Sequence, residues 1–258
     1  MRRMLAGLGF AAVLAACAGG AFPGIMMEPA PEVTPASPHI LLAIADPRRP
    51  EADTARDALR HPADILAFAQ VRAGQRIADV GPGGGYYTRL FAVAVGETGR
   101  VYGIDRPNAE GRPPRAILAV APQYQNVEVV QQGYQGWRVS EPLDTIFISQ
   151  IYHDFHLPAL NLDVAQINRD MFAALRPGGT LIVIDHAAHD GSDLSVTDTL
   201  HRIDQATLVR ELEAAGFRLE AESQVLRNPA DDRSLRVFEG DIRGRTDQFV
   251  LRFRKPAN

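Results

Sequence analysis

A glycine-rich turn that follows a short apolar strand constrains the fold of this chain more than any other feature. Residues 76–80 read Arg-Ile-Ala-Asp-Val, glycines occupy positions 81, 83, 84 and 85, and a helix is predicted over 85–94. Glycines let the backbone turn tightly and approach a ligand closely, and the first N–H groups of a helix are free donors. The pattern predicts a ligand site here, and a tight turn that binds nothing is the alternative.

Short apolar strands alternate with helices along the rest of the chain. Strands are predicted over 76–80, 101–105, 127–132, 144–149, 180–185, 217–223 and 248–254, and helices over 51–71 with a break near His61, 85–94, 115–120, 162–175 and 205–215. This order indicates an α/β fold with a mostly parallel sheet and helices on both faces. The last two strands have no long helix between them, so the last strand is expected to be antiparallel.

The spacing of the glycines separates the cofactor classes. A dinucleotide fingerprint, G-x-G-x-x-G, would need glycine at position 86 or 88, where the chain has Tyr86 and Thr88. No Lys-Ser/Thr pair follows the glycines, which excludes a phosphate-binding P-loop. The spacing present, Asp79-x-Gly81-x-Gly83-x-Gly85, resembles motif I of the class I S-adenosylmethionine (SAM)-dependent methyltransferases.

The resemblance extends over about residues 51–255. Asp105, at the end of the second strand, resembles the family's acidic residue that binds the ribose hydroxyls. The segments 175–185 (LRPGGTLIVID) and 214–217 (AAGF) resemble later elements of the same family. The resemblance implies a seven-stranded Rossmann-like methyltransferase fold and SAM as the methyl donor. The cofactor-binding residues that it implies are Asp79, Gly81, Gly83, Gly85, Tyr87, Asp105 and Gln132.

Gln132 is a departure from the family pattern. It stands where the family often has an acidic residue that faces the adenine amino group, and its amide oxygen is a suitable acceptor. More narrowly, the chain resembles a group of predicted exported bacterial methyltransferases of unestablished substrate. The segments that carry this resemblance are 82–88 (PGGGYYT), 201–204 (HRID), 222–232 (ESQVLRNPADD) and 242–256 (IRGRTDQFVLRFRKP).

Five of the seven histidines lie between His153 and His201. His153 and Asp154 follow the fourth strand, at the edge of the sheet that would face the transferred methyl group. We predict His153 as a general base and Asp154 as its orienting partner, because a histidine beside a carboxylate suits proton removal near neutral pH. A metal bound by His153, His186, His189 and Asp190 is an alternative, but we assign no metal because the acid-rich pattern of metal-dependent relatives is missing. Polar loop residues without a catalytic role are a third interpretation.

The N-terminus, MRRMLAGLGFAAVLAAC, is typical of an export signal. Cys17 follows Leu-Ala-Ala, which resembles a bacterial lipobox. We predict a signal peptide over 1–16, lipidation of Cys17, a proline-rich tether over 17–50 and a methyltransferase-like domain over 51–258. An uncleaved membrane anchor, an ordinary cleaved signal and a cytoplasmic protein remain alternatives. For part of the tether, the alternative is a loop that packs on the body, because residues 40–45 are apolar. Ala18 after the cysteine favours the outer membrane over the inner one.

Composition excludes other classes of function. The formal charge is −4, which argues against a basic nucleic-acid-binding surface, and hydrophobic residues make up 46%, which excludes wholesale disorder. The single cysteine excludes an intrachain disulfide. We therefore expect an envelope-anchored SAM-dependent methyltransferase with an unidentified small-molecule acceptor. The alternatives are a non-catalytic envelope lipoprotein that binds a nucleoside or other small ligand, and, less favoured by the glycine spacing, an NAD-dependent oxidoreductase.

Overall fold

The computed structural model describes residues 37–257. The predicted signal peptide, Cys17 and the first part of the predicted tether lie outside these residues. Among the helices of residues 37–257, none combines the length and the apolar character that crossing a membrane requires.

Seven strands form one twisted sheet. They are β1 (Arg76–Val80), β2 (Arg100–Ile104), β3 (Val127–Val130), β4 (Leu143–Ser149), β5 (Leu175–His186), β6 (Arg218–Ser223) and β7 (Gln248–Arg254). The strand order is β3-β2-β1-β4-β5-β7-β6, and β7 pairs antiparallel with both β5 and β6. The remaining pairs are parallel. The predicted fold class, with its antiparallel last strand, is confirmed.

Helices cover the sheet on both faces because successive strand residues point to opposite sides. The helices are α1 (Pro38–Ile44), α2 (Glu51–Thr54), α3 (Asp57–Arg60), α4 (Pro62–Phe68), α5 (Tyr86–Val95), α6 (Val164–Ala174), α7 (Ser195–Thr199) and α8 (Gln205–Ala214). Ala78 and Val80 belong to one apolar core with α6 and α8, whereas Ile77 belongs to a second core with α1, α4 and α5. The parallel strands are therefore buried on both sides.

Several predicted bounds differ from the structure. The helical segment expected over 51–71 is three short helices rather than two. The predicted break near His61 is confirmed, because His61 adopts a left-handed φ of 44° and Pro62 starts α4, and a further break separates α2 from α3. The helix expected over 115–120 is a 3-10 turn at Ala116–Ala119. β5 begins at Leu175, five residues before its predicted start, because Leu175 pairs with Leu143 of β4.

The folded body begins before residue 51, so the predicted tether boundary is wrong for residues 38–50. Ile40 and Ala43 of α1 are buried in the same core as α5. Arg49 forms an ion pair with Asp57 at 2.5 Å, and the hydroxyl of Tyr124 donates to Asp46 at 2.8 Å. A proline at a helix start is tolerated, so the proline-rich composition does not prevent a short helix whose apolar residues pack on the body.

Candidate cofactor-binding and catalytic site

The glycine turn connects β1 to α5 with three glycines in the left-handed region. The φ angles of Gly81, Gly83 and Gly85 are 69°, 54° and 81°. A Cβ at Gly81 would overlap Ile151, and one at Gly85 would lie 2.7 Å from Val120 Cγ2, so both positions need glycine for packing. At Gly83, an added Cβ would have no described heavy atom within 4 Å. Gly83 therefore faces open space at the mouth of the turn.

That space is part of a cleft of about 230 Å³ between the glycine turn, the end of β4 and the α2–α3 segment. Arg56 and Arg60 line it from the α2–α3 side, and Gln150 lines it from the end of β4. Arg60 donates from Nη2 to Oε1 of Gln150 at 3.0 Å and lies 4.8 Å over the Tyr86 ring. The two arginines make this side of the cleft positive. Sequence reasoning missed them, because they precede β1 by about twenty residues and reach the cleft only through the packing of α3 and α4.

Asp79 is a buried acid in the same cleft. Its Oδ2 accepts a hydrogen bond from the Thr88 hydroxyl at 2.6 Å. Burial raises the pKa of Asp79 to about 7, although the Thr88 hydrogen bond and the positive charge of Arg60 lower it in part. The group is consequently poised between its neutral and charged forms near neutral pH, so a positively charged ligand group in the cleft favours the carboxylate.

Asp105 follows β2 directly beside the glycine turn. Val80 of β1 pairs with Ile104 of β2, and the Gly81 N–H donates to the Ile104 carbonyl at 2.9 Å. Oδ1 of Asp105 accepts the backbone N–H of Arg106 at 2.7 Å and lies 3.9 Å from Nη1 of Arg115. The predicted pair of acids, Asp79 and Asp105, thus stands at the carboxyl ends of neighbouring strands, where α/β folds bind nucleotide-like ligands.

Tyr87 and Gln132 are placed differently from each other. Tyr87 lines the cleft, and its ring packs 4.6 Å from the Phe147 ring. Burial raises the Tyr87 pKa to about 12, so its hydroxyl stays protonated. Gln132 is exposed, and its Oε1 accepts the backbone N–H of Arg138 at 2.9 Å. The oxygen predicted to face adenine is already hydrogen-bonded to the backbone, so the adenine contact stays a prediction.

His153 lies between two carboxylates after β4. Its Nδ1 is 2.7 Å from Oδ1 of Asp185, and its Nε2 is 3.2 Å from Oδ1 of Asp154. Burial lowers the pKa of His153, but the nearby charges of Asp185 and Asp154 outweigh that effect and raise it to about 10. Both ring nitrogens of His153 therefore face carboxylate oxygens, and its role as a general base stays a prediction.

The residue that orients His153 is Asp185 rather than Asp154. Asp185 ends the apolar run of β5 and is fully buried. It also accepts the backbone N–H groups of His153, at 2.8 Å, and His186, at 2.7 Å. The sequence does contain a signal for Asp185, because a charged residue ends an otherwise apolar strand. Nothing in the sequence connects it to His153, which precedes it by about thirty residues.

The histidine and acid set considered for a metal does not come together. His189 and Asp190 are exposed. His186 is buried, its Nδ1 is 2.6 Å from the Thr246 hydroxyl, and burial lowers its pKa to about 4. His201, which sequence reasoning did not select, lies beside His153 instead, with the ring centroids 5.4 Å apart.

The sequence model of the family described as protein-L-isoaspartate(D-aspartate) O-methyltransferase matches residues 52–186, more than half of the chain. The chain belongs to this family. The match covers the glycine turn and the carboxyl ends of β1 to β5, and it ends at the last residue of β5. Membership confirms the resemblance to class I SAM-dependent methyltransferases. The narrower resemblance to exported bacterial members stays a prediction.

Curated relatives match a part of the chain. Protein-L-isoaspartate O-methyltransferase 2 of Archaeoglobus fulgidus is 34% identical over 97 residues, 37% of this chain and 44% of the relative. The chain spans less than half of the length of the curated relatives it matches.

Solved structures agree in fold. A SAM-dependent methyltransferase from Aquifex aeolicus superposes with a TM-score of 0.56 at 22% identity, covering 78% of this chain and 93% of that one. The [4+2]-cyclase SpnF superposes equally well, with a TM-score of 0.56 at 17% identity, covering 80% and 82%. The same fold thus occurs in proteins named for different reactions, so the activity has to be argued from the site.

Proposed function

We propose that the chain is a SAM-dependent methyltransferase that binds SAM in the cleft at the glycine turn. The observation that carries the proposal is the open position at Gly83, in a cleft that Asp79 also lines, in a chain of the isoaspartate O-methyltransferase family. SAM supplies a methyl group on a positively charged sulfur.

The charges around the cleft are complementary to those of SAM. Asp105 offers carboxylate oxygens to ribose hydroxyls, which are hydrogen-bond donors. At the other end of SAM, a free amino acid group carries one positive and one negative charge. Asp79 suits the ammonium, and the guanidinium groups of Arg56 and Arg60 suit the carboxylate. Arg60 is held in place by Gln150, so this contact needs little reorganisation.

We propose a small-molecule methyl acceptor. The family match ends at His186, whereas the segment that follows packs over the end of β5 by contacts of its own. Arg202 is buried, forms an ion pair with Asp231 at 2.9 Å and donates to the Ala187 carbonyl. This segment is outside the region shared with proteins named for isoaspartyl residues, which supports a different acceptor.

We also propose that the chain is exported and anchored in the cell envelope through a lipid on Cys17, with the outer membrane favoured. The support is the leader-like sequence 1–16 and the lipobox-like Leu-Ala-Ala-Cys. Metabolic labelling with a radioactive fatty acid tests this: the wild type is labelled in the membrane fraction and Cys17→Ser is not. Equal labelling of the two proteins would contradict the anchor.

A transfer experiment with methyl-labelled SAM tests the activity and the acceptor together. The purified chain is incubated with labelled SAM and either a small-molecule extract or a synthetic isoaspartyl peptide. The proposal predicts label in the small-molecule fraction, lost in Asp105→Ala. Base-labile label on the peptide would contradict the small-molecule acceptor and would favour the isoaspartyl residue for which the relatives are named. Saturable binding of SAM with no transfer to either pool would favour the non-catalytic binding protein.

A further inference from the structure

Three side chains on the carboxyl side of the sheet converge on one point. His153 and Asp154 belong to the 3-10 turn after β4, and His201 follows α7. Oδ1 of Asp154 is 3.2 Å from Nε2 of His153 and 3.4 Å from Nδ1 of His201. The three ligand atoms lie within 4.8 Å of one another. This cluster is built from segments about fifty residues apart, and the proposed SAM chemistry does not use it.

The spacing of these atoms fits the edges of a metal coordination shell. Bonds of about 2.0–2.2 Å from a divalent metal to nitrogen and oxygen place neighbouring ligands about 3.0–3.5 Å apart. Both measured separations from Asp154 Oδ1 lie in that range. Two imidazoles and one carboxylate are the ligand types of first-row transition metals, whereas calcium and magnesium prefer oxygen ligands throughout.

The second ring nitrogen of His153 is held as metal-binding histidines usually are. Nδ1 faces the buried carboxylate of Asp185 at 2.7 Å, which fixes the ring so that Nε2 points at Asp154. A metal would replace the proton on Nε2, and that proton would leave to solvent. Asp185 and Asp154 together bring two negative charges, which balance a divalent cation.

We propose that His153, Asp154 and His201 bind a divalent transition metal such as Zn²⁺, with Asp185 orienting His153. This set differs from the one considered from the sequence, His153 with His186, His189 and Asp190, of which His189 and Asp190 are exposed. Three protein ligands leave at least one coordination position for water or another oxygen ligand.

Arg236 provides an independent check on the ligand atom. Its Nη2 donates to Nε2 of His201 at 2.9 Å. A metal bound to Nδ1 of His201 requires the ring proton to be on Nε2. A protonated Nε2 cannot accept a hydrogen bond from the guanidinium. Arg236 and the metal therefore compete for His201, and Arg236→Ala should bind the metal at least as tightly as the wild type.

Titration of the chelator-treated full chain with Co²⁺ alone tests the proposal. All variants carry Cys17→Ser so that the thiol contributes no ligand. One equivalent should produce visible absorption bands of bound Co²⁺, and Zn²⁺ should abolish them. Asp154→Ala and His201→Ala should each weaken binding by at least about tenfold. Both side chains are partly exposed, so these variants keep the core, which circular dichroism verifies.

His189→Ala is the matched control, since it removes an exposed histidine nearby and should bind Co²⁺ like the wild type. The proposal is overturned if folded wild type shows no saturable site, if Asp154→Ala and His201→Ala bind unchanged, or if Arg236→Ala binds more weakly. None of these readouts involves methyl transfer, so the result stands apart from that of the proposed activity.

Discussion

The carboxylate of Asp185 accepts two hydrogen bonds from His153, one from the backbone N–H at 2.8 Å and one from Nδ1 at 2.7 Å. Both side chains are nearly inaccessible to solvent. The pair fixes the turn after β4 to the end of β5, on the side of the sheet where the cleft lies. The positive charge of His153 is tolerated there because the negative charge of Asp185 is beside it; the imidazolium in turn holds the pKa of Asp185 below its usual range against the opposing effect of burial.

Removal of Asp185 should therefore destabilise the fold. Asp185→Ala removes the buried carboxylate that pairs with Nδ1 of His153 and leaves the backbone N–H groups of His153 and His186 without their acceptor, which costs about 3–5 kcal/mol of unfolding free energy. Urea denaturation followed by circular dichroism, at pH 7 with a chelator present, measures the loss. Asp190→Ala removes a fully exposed acid and should leave the unfolding free energy nearly unchanged. Equal losses for the two variants would show that the buried pair has no special role.

Helix α1 should contribute to the stability of the body. Ile40 is 2% exposed in the core that it shares with α5, so Ile40→Ala should lower the unfolding free energy by about 2–5 kcal/mol. Leu42 is 66% exposed on the same helix. Leu42→Ala is therefore the control, because it removes a side chain of similar size that contacts solvent rather than the core. Thermal and urea unfolding compare the two. If Ile40→Ala is as stable as Leu42→Ala, residues 38–44 are a tether after all.

Asp79 should impose a pH dependence on stability. Its pKa of about 7 in the folded state is above the usual 3.8, so between these values the folded state holds a proton that the unfolded state has lost. The contribution of Asp79 to the free energy of unfolding is complete below about pH 4. It is lost as the pH rises towards 7, at a rate of at most about 1.4 kcal/mol per pH unit. Asp79→Asn lacks this titration. The difference in unfolding free energy between wild type and Asp79→Asn should fall over that window, and parallel curves would contradict the assignment.

Much of the sheet was predictable because each strand is a short apolar run bounded by turn residues. β1, β4 and β7 are where the sequence places them, since their burial on both faces leaves a continuous apolar signal. The start of β5 was missed, because Arg176 and the glycines after it look like a turn although they extend the strand.

Some residues of the candidate site were predictable from the sequence and others were not. Asp79 and the glycines follow from local spacing in one strand–turn–helix unit, and Asp105 follows from the family resemblance at the end of the next strand. Arg60, Asp185 and His201 do not, because each reaches the site through the order of strands or the packing of short helices, and nothing within a few residues of them signals the contact. The tether boundary failed for a related reason: the apolar stretch 40–45 indicates packing on the body, but it is too short to fix the boundary without the α5 surface that Ile40 and Ala43 cover.

Calorimetric titration of the chain with SAM tests the central claim most directly. Gly83→Ala is the decisive variant, since its new Cβ projects into the open cleft. Gly191→Ala is the matched control, because Gly191 also has a positive φ, 77°, so that alanine there carries the same backbone cost of about 1–2 kcal/mol. Gly191 is exposed, and no atom of residues 37–257 lies within 4 Å of an added Cβ. Micromolar binding by wild type and Gly191→Ala, with at least tenfold weaker binding by Gly83→Ala, is the predicted result. A folded wild type that binds no SAM, or a Gly83→Ala variant that binds as tightly as Gly191→Ala, would contradict it.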